Sequence, residues 1–464
     1  MSVRTTRRSL IAATTVALGG ILVSACSGST TTSSPTAAAN STATTSSTAA
    51  SQSQAAKPAS QANQGSASNV VLRLESRTGS YGDVWTQRAT DFEKANANVT
   101  IKVETFPSGT VKQKVETMAA GGTLGDAYFT PSVWANQYHF FVAGVALDLT
   151  DYANTDKIDW TQWYKTAVDQ IHYKGKLVAM LDGASPGRAG LFYNKTLFKQ
   201  AGQSEPSADW DLNKLVAAAQ ALTKNGVYGL HTVHRDAVEL LIWCRAFGGD
   251  IYSQDGKTAT LTTKESMEGI TWVWNTLYKW KCSMPATADV GSAGQGYAAA
   301  FAAGKLAMFN SGTWDANTAE ATKIDWGLAP LSKGPVGKRG SMAEANTCQV
   351  SKQSKNPEVA WQWAKWISNH DSGVLHVQHG ATPGGRPDVY GDATLTEKYP
   401  YLAVFKTIFE EAMPYVVPAN FRGLESAQAI IQGMDPIWLN KTPLNESAVA
   451  QVNQKVQQVL DEAQ

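Results

Sequence analysis

The sequence predicts an α/β fold with two lobes. Its 464 residues are enough to bury more than one hydrophobic core. Between residues 70 and 131, apolar residues alternate between the period of a strand and the period of a helix, in the order strand, helix, strand, helix, strand. Residues 298–315 repeat this pattern with a helix end, a short strand and a second helix start. Such alternation is typical of a mostly parallel sheet covered by helices.

The first repeat places candidate ligand residues at the ends of its strands. Strands are predicted at 70–74, 99–103 and 126–130, with helices between them. Glu75 and Tyr81 follow the first strand, and Trp134 follows the third. Because open α/β sheets bind ligands beyond the carboxyl ends of their strands, all three residues are candidates. For Trp134, packing in the core is an equally good interpretation.

The stretch 298–315 predicts a binding site rather than a catalytic one. Gly304 is placed to end a helix, and residues 306–309 form an apolar run of strand length. We expect Gly312 to let a ligand approach the backbone and Trp314 to offer a flat apolar face. Core packing is the alternative for Trp314. Asp315 could accept ligand hydroxyls or stabilise the helix dipole.

Charge and composition narrow the class of partner. The chain has 40 basic and 39 acidic side chains, so its balance gives no sign of nucleic-acid binding. No C-x-x-C or His-rich spacing indicates a metal site, and no cofactor motif occurs. We therefore expect neither a cofactor nor a metal.

The N-terminus predicts export and lipid anchoring. Residues 1–25 combine a basic start with an apolar stretch, as in a secretion signal, and small residues precede Cys26 as in a lipoprotein signal. The Arg7-Arg8 pair also resembles a twin-arginine signal, which leaves the export route open. Residues 26–69 are rich in Ser, Thr, Ala and Gln and predict a flexible, lipid-anchored tether. The expected location is the outer face of a bacterial cell membrane.

Three cysteines remain in the body of the chain. In an exported protein two of them can pair, and Cys244 with Cys282 is our prediction because they bracket one predicted hairpin and helix. The alternative is that Cys244, Cys282 and Cys348 are all buried free thiols.

Six motifs in a fixed order resemble those of the extracellular solute-binding proteins of sugar ABC importers. They extend over most of the chain from residue 70 onward. The motifs are YKGKLVAM with GLFYNKTLF (173–180 and 190–198), PSADWD (206–211), GGDIYSQDG (248–256), FAAGKLAMFNSGTW (301–314), WGLAPL (326–331) and SKNPEVAW (354–361). Residues 341–344 depart from the family pattern, which often has a glycine pair there.

The resemblance implies a two-lobed, periplasmic-binding-protein-like clamp of type II, with a mixed, mostly parallel sheet in each lobe and a hinge between them. We predict lobe 1 at 70–182 and 343–374, and lobe 2 at 183–342 and 375–464. The crossings between lobes are expected near 181–183, 341–343 and 373–374. The implied partners are a sugar or oligosaccharide and the permease subunits of an ABC importer, and the protein is expected to be a monomer.

Further ligand candidates follow from the expected position of the cleft. Asp182 and Arg188 flank the first crossing, although either could form a surface ion pair instead. Glu344 lies near the second crossing. Trp243 is a weaker candidate, since an apolar helix surrounds it. Arg386, in the loop TPGGRP (382–387), resembles a cleft-facing arginine of the family; a solvated loop arginine is the alternative.

The competing function is that of an exported carbohydrate-active enzyme. Such an enzyme needs two carboxylates at a cleft with different pKa values, and no motif in the sequence identifies such a pair. The sequence also lacks G-x-S-x-G and H-E-x-x-H motifs, so no catalytic residue is predicted. A binder of a non-sugar solute, such as a glycerophosphodiester paired with Arg188 or Arg386, stays open as the alternative.

Overall fold

The computed structural model describes residues 69–131, 136–233, 236–287 and 296–462. The predicted signal segment, Cys26, the tether up to residue 68, and Trp134 lie outside these residues. Among the described residues, no helix has both the length and the apolar character needed to cross a membrane.

The strands and helices follow one another in the order that the sequence predicts. The strands are β1 (Val70–Arg77), β2 (Val99–Phe106), β3 (Ala127–Pro131), β4 (His172–Tyr173), β5 (Lys176–Leu177), β6 (Met180–Ser185), β7 (Gly190–Asn194), β8 (Met308–Ser311), β9 (Trp326–Pro330) and β10 (Glu344–Val350).

The helices that precede β8 are α1 (Ser80–Ala95), α2 (Val111–Ala120), α3 (Asn136–Val142), α4 (Thr150–Asp156), α5 (Lys165–Val168), α6 (Lys195–Ala201), α7 (Leu212–Leu222), α8 (Ala237–Ala246), α9 (Lys264–Tyr278) and α10 (Gly296–Ala302). Those that follow it are α11 (Trp314–Glu320), α12 (Pro357–Ile367), α13 (His370–His379), α14 (Pro387–Tyr390), α15 (Ala393–Lys398), α16 (Tyr401–Glu410), α17 (Gly423–Trp438) and α18 (Glu446–Asp461).

The first lobe is built around a five-stranded sheet with the order β2-β1-β3-β10-β6. Strand β1 runs parallel to β2 and β3, whereas β10 is antiparallel to β3 and β6. Helices α1, α12 and α13 pack on this sheet, where Trp85 and Trp363 meet edge to face with ring centroids 5.5 Å apart. Buried aromatic rings therefore fix these helices on the sheet.

The second lobe is built around a three-stranded sheet with the order β8-β7-β9. Strand β7 is antiparallel to both neighbours, and isolated parallel bridges join Tyr228 to Leu306 and Leu230 to Ser283. Parallel pairing in this lobe is thus confined to the bridges. The lobe has its own core, to which α7, α8, α9, α17 and α18 contribute. The α/β class with two lobes is confirmed.

The chain crosses between the two sheets close to two of the predicted points. It passes from β6 to β7 through residues 186–189, just after the predicted 181–183, and from β9 to β10 through residues 331–343. The third predicted crossing is wrong, because Gly373 lies buried inside α13, where a helix continues on both sides. That helix packs on α1 and β6 of the first lobe.

The predicted disulfide is also wrong in this structure. Cys244, Cys282 and Cys348 are free and buried. Cys244 lies in α8, and its thiol faces the carbonyl oxygen of Ser266 at 3.7 Å. Its partner is thus a backbone acceptor rather than Cys282. The alternative prediction of three buried thiols describes the fold correctly.

Candidate ligand-binding cleft

A cleft of about 420 Å³ lies where the two sheets approach each other. Its volume is within the range of about 300–1,000 Å³ that is usual for small-molecule sites. The lining combines charged, amide and hydroxyl side chains with one tryptophan among the described residues. These residues are Arg77, Gly109, Lys112, Pro131, Asn136, Ser185, Arg188, Asp236, Val238, Trp314, Glu344, Asn346, Thr382 and Leu424.

Strand ends of the first lobe form one wall of the cleft. Arg77 is the last residue of β1 and Pro131 the last of β3, so the carboxyl ends of two parallel strands open into it. Glu344 and Asn346 lie two residues apart at the start of β10, and both line the cleft. Alternate residues of a strand share a face, which explains why this pair points the same way.

Trp314 is the aromatic surface of the cleft, and Gly312 positions it. Trp314 is the first residue of α11 and is half-buried. A Cβ atom on Gly312 would lie 2.2 Å from the Trp314 ring. Gly312 therefore makes room for the indole, while ligand approach to its backbone stays a prediction. The Arg188 guanidinium lies 5.6 Å from the centre of the same ring, within the range of a cation–π contact.

Asp315 has a different role from the predicted one. Its carboxylate is buried and accepts hydrogen bonds from the Tyr297 hydroxyl at 2.7 Å and the Ser311 hydroxyl at 2.5 Å. It also lies in the first turn of α11, where a negative charge is favourable. Asp315 fixes the turn that carries Trp314 and does not line the cleft. The hydrogen bonds and the helix position favour the helix-dipole alternative for Asp315 over the predicted ligand contact.

The second wall of the cleft carries an ion pair. Arg188, in the crossing between β6 and β7, donates from Nη2 to Oδ2 of Asp236 at 3.0 Å. The other oxygen of Asp236 accepts from the backbone N–H of Val238 and caps α8. One carboxylate thus joins the crossing to the start of a second-lobe helix.

Two further carboxylates surround Arg188. Burial raises the pKa of Glu239 to about 8 and that of Glu344 to about 7, although Arg188 acts to lower both. Burial acts to lower the pKa of Arg188 itself, but Asp236, Tyr297, Glu239 and Glu344 together raise it above its usual value. At neutral pH, Glu344 can therefore either donate or accept a hydrogen bond in the cleft.

Asn310 links this charge cluster to β8. Its Nδ2 donates to Oε1 of Glu239 at 2.8 Å and to the backbone oxygen of Arg188 at 3.2 Å. Because Asn310 lies in β8, two residues before Gly312, the strand that leads to Trp314 is tied to the crossing at Arg188. The aromatic and charged parts of the second wall are held as one unit.

Tyr81 supports the first wall from behind. It is fully buried, and its hydroxyl accepts from Nδ2 of Asn346 at 2.6 Å. The Arg77 guanidinium lies 4.1 Å from the centre of the Tyr81 ring. Tyr81 therefore orients two cleft residues from outside the cleft lining, and the structure favours this supporting role over the predicted ligand contact.

Two predicted acidic residues lie in the core of the first lobe. Glu75 is buried, and its carboxylate accepts from the backbone N–H of Gly125 at 2.9 Å. Asp182 is fully buried between the Nε1 of Trp85 and the Nε2 of His376, both at 3.0 Å. The oxygens of both residues face the lobe interior, so the structure favours a core role over the predicted ligand contact.

Trp243 and Arg386 also lie away from the cleft lining. Trp243 is buried in the second lobe, where its Nε1 donates to the carbonyl of Thr232 at 3.1 Å. Arg386 forms a two-pronged ion pair with Asp388 and lies 5.0 Å from the centre of the Trp163 ring. The structure favours the core role for Trp243 that its apolar helix indicates, and it places the buried Arg386 in an ion pair rather than in solvent.

The structure brings three predicted residues together and adds others. Trp314, Arg188 and Glu344 all line the cleft, and their contact with ligand stays a prediction. Sequence reasoning missed Arg77, Asp236 and Asn346. Arg77 ends β1, and Asn346 shares a strand face with Glu344, so strand-end and period-two signals could have found them. Asp236 could have been found as an N-cap, but nothing local indicates its partner.

The arrangement suits the recognition of a polar organic ligand. Flat aromatic faces pack against apolar ring faces, while carboxylate, amide and guanidinium groups exchange paired hydrogen bonds with hydroxyls. In the described parts of the chain, no group of three His, Cys, Asp or Glu side chains is placed to hold a metal ion.

Comparison with known proteins finds a matching family, relatives similar in sequence and solved structures with a similar fold. Residues 77–374 match the family described as bacterial extracellular solute-binding protein. The maltodextrin-binding protein MdxE of Bacillus subtilis is 26% identical over 324 residues, which is 67% of this chain and 72% of the relative. Sequence similarity thus extends over most of both chains.

Two solved structures share the fold. An ABC substrate-binding protein of Listeria monocytogenes, in complex with cycloalternan, superposes with a TM-score of 0.75 at 22% identity, over 84% of this chain and 99% of the other. The GacH receptor of Streptomyces glaucescens, solved unliganded and with acarbose, gives a TM-score of 0.74 at 21% identity, over 85% and 100%.

Proposed function

Because the chain belongs to the bacterial extracellular solute-binding protein family, we propose that it captures a sugar or oligosaccharide outside the cytoplasm and delivers it to the permease of an ABC importer. The observation that carries this proposal is the pairing, in one cleft, of the Trp314 ring with the planar groups of Arg188 and Asp236. A sugar ring offers both a C–H face for the indole and hydroxyls for the charged groups.

The relatives support the substrate class. The Listeria protein was solved with cycloalternan, the Streptomyces receptor with acarbose, and the Bacillus relative is named for maltodextrin. We extend the class to this protein because its cleft contains the groups that such ligands need.

Capture requires the two lobes to move together around the ligand. We propose the predicted division into lobe 1 (70–182 and 343–374) and lobe 2 (183–342 and 375–464) with two changes: the first boundary moves to the crossing at 186–189, and the third moves beyond α13. Arg77 and Asn346 extend from the first sheet, whereas Trp314 follows a strand of the second. A ligand that touches both sets binds the closed state better and therefore stabilises it.

We propose that the protein is anchored to the membrane by a lipid on Cys26, as a monomer. Only the sequence supports this step, since Cys26 follows an apolar segment and precedes a long polar tether. In cells, the Cys26→Ser variant should leave the membrane fraction. If the variant stays there at the wild-type level, lipid attachment at Cys26 is refuted.

The test of the main proposal is thermal unfolding of the purified protein against a panel of mono- and oligosaccharides, with glycerophosphodiesters included. A ligand at ~100 times its dissociation constant should stabilise the folded state by about 2.7 kcal/mol. A shift with one sugar class, with the sugar recovered intact, supports a receptor. No shift with any sugar, or conversion of the sugar during the assay, contradicts it.

The phosphodiester alternative is favoured by one observation, the presence of Arg77, Lys112 and Arg188 around the cleft. All three cations already have partners: Lys112 pairs with Glu116, Arg188 pairs with Asp236, and the Arg77 guanidinium lies 4.1 Å from the centre of the Tyr81 ring. The sugar proposal therefore explains more of the lining. A thermal shift with glycerophosphodiesters alone would reverse that preference.

A further inference from the structure

A second large depression lies on the second lobe and shares no residue with the cleft. It has a volume of about 580 Å³ and is formed by α7, by α9 with the residues that follow it, and by the loop around residue 334. The residues that matter below are Asp209, Asp211, Asn213, Gln220, Trp272 and Trp280. This depression is called the lateral groove.

The aromatic part of the lateral groove is held rigidly. Trp280 is half-buried and meets Trp272 edge to face, with ring centroids 6.3 Å apart. Trp272 in turn packs on the buried Trp243 at 4.6 Å. An aromatic side chain supported in this way offers a fixed surface. Packing of a ligand on it therefore costs little side-chain conformational entropy.

The polar part of the lateral groove follows one face of α7. Asn213 and Gln220 are seven residues apart, which is two helical turns, and both are exposed. Asp211 precedes them as the N-cap of α7, and its Oδ1 accepts from the backbone N–H of Lys214 at 2.8 Å. Amide and carboxylate groups thus line the groove beside the tryptophan surface.

The lateral groove continues into a neighbouring depression of about 650 Å³. Phe247 and Trp272 belong to both, and the second depression adds Glu268 and Asn275 from the same helix α9. The continuous surface therefore adds further carboxylate and amide groups beside the shared aromatic residues. Its extent fits a chain of several units better than a single ring.

We propose that the lateral groove is a second saccharide-binding site, which takes a chain of sugar units independently of the cleft. The argument is the one that assigns the cleft: a flat apolar surface with carboxylates and amides at its side matches C–H faces and hydroxyls. A protein partner fits less well, because the cores of protein interfaces are depleted in charged residues and this groove contains Asp209, Asp211 and Lys333.

Such a site would hold a long polymer next to the receptor. Ends and fragments of that polymer would then reach the cleft at a raised local concentration, without any change in the affinity of the cleft. This inference goes beyond the proposed uptake function, since it assigns a separate surface with its own ligand size.

The test is affinity electrophoresis of the intact protein in gels that contain soluble starch, dextran or xylan. The Trp314→Ala variant removes the cleft surface, and the double variant with Trp280→Ala removes both. We expect at least one polymer to retard Trp314→Ala, and the added Trp280→Ala change to weaken that retardation by about tenfold or more. Trp280→Ala alone should leave the thermal shift with short sugars unchanged.

A milder variant protects the test from misfolding. Asn213→Ala with Gln220→Ala changes only exposed side chains, and in the Trp314→Ala background it should also reduce retardation. The proposal is overturned if no polymer retards the Trp314→Ala variant, or if retardation survives both sets of changes. Loss of sugar uptake by Trp280→Ala without any polymer binding would instead assign the groove to a protein partner. Failure of the uptake proposal is seen separately, as absence of a thermal shift with short sugars.

Discussion

At the scale of single residues, Trp314 carries the largest share of the expected binding energy. Its ring is the aromatic surface in the described lining of the cleft, and Arg188 lies behind it at 5.6 Å. The Trp314→Ala change should weaken binding of the best sugar by at least tenfold, about 1.4 kcal/mol, because stacked area and the cation–π arrangement are both lost. Isothermal titration measures this directly.

The matched control for this prediction is Trp280→Ala, a tryptophan of the same lobe outside the cleft. It should leave the affinity for short sugars within twofold of the wild type. Equal affinity of the Trp314→Ala variant and the wild type would remove Trp314 from the site. Circular dichroism and the unfolding temperature without ligand show whether either variant folds.

Glu75 makes stability depend on pH. Burial raises its pKa to about 8 from an ordinary 4.5, with Arg73 and the Gly125 N–H acting in the opposite direction. At pH values between 4.5 and about 8, Glu75 is protonated in the folded protein and ionised in the unfolded chain. Stability therefore falls as pH rises through this window, by at most about 1.4 kcal/mol per pH unit from this group.

The Glu75→Gln variant should not show this fall in stability as the pH rises. Its amide oxygen can still accept from Gly125, so the variant and the wild type should be similarly stable at pH 5, and the variant more stable at pH 8.5. Urea-unfolding midpoints at the two pH values give the comparison. Glu397→Gln, which changes an exposed carboxylate in α15 that is not among the groups acting on Glu75, serves as the control. A wild type that gains stability relative to Glu75→Gln as pH rises would contradict the assignment.

At the scale of elements, the turn from β8 to α11 acts through Gly312. A methyl group there would overlap the Trp314 ring, because a Cβ atom at this position would lie 2.2 Å from it. We expect Gly312→Ala to displace the indole, to weaken sugar binding as Trp314→Ala does, and to cost about 1–3 kcal/mol of stability. The double variant should bind no more weakly than Trp314→Ala alone, since both changes act on one ring.

If the affinity losses of Gly312→Ala and Trp314→Ala add in the double variant, then Gly312 acts on binding by some other route, such as direct approach of the ligand. The measurement is the same titration on four proteins: wild type, the two single variants and the double variant. A stability loss with unchanged affinity would contradict the role assigned to Gly312.

Elements with strong local signals were predictable from sequence. In α18, Asn445 caps the helix by accepting from the N–H of Ala448 at 2.8 Å, and Val449, Val452 and Val456 are buried as their spacing predicts. The buried face continues to Leu460, four residues after Val456, as the helical period requires. Strand β8 starts two residues later than predicted, since Leu306 pairs instead with Tyr228.

The cleft was only partly predictable, because its pairs join distant parts of the chain. Trp314, Arg188 and Glu344 were found from a local turn and from the expected crossings. Asp236 meets Arg188 across 48 residues, and Asn346 meets Tyr81 across 265. No pattern of neighbouring residues in the sequence indicates contacts between such distant positions. For the same reason the sequence could not indicate the partners of Asp182, namely Trp85 and His376, which come from two other helices.

At the scale of the whole molecule, charges of alternating sign follow one another through the region where the sheets meet. Arg77 ends β1 in the first lobe, Glu344 and Arg188 lie at the two crossings, and Asp236 starts a helix of the second lobe. Arg77 and Arg188 both act on Glu344, and Arg188 pairs with Asp236. Movement of one lobe against the other must therefore change these distances.

A ligand that bridges the two walls should hold the lobes in one closed arrangement. We expect small-angle X-ray scattering to show a smaller radius of gyration when the best sugar saturates the protein, because the ligand favours the state in which it touches both lobes. Trp314→Ala should need a higher sugar concentration and then reach the same compact value, since the crossings are intact. Moving the equilibrium between the open and closed states from 1:99 to 99:1 requires a ligand that binds the closed state more favourably by about 5.5 kcal/mol. A weakly bound sugar should therefore close only part of the population. A radius that stays constant at full saturation would refute closure, while leaving the assignment of the cleft to be judged by the titrations.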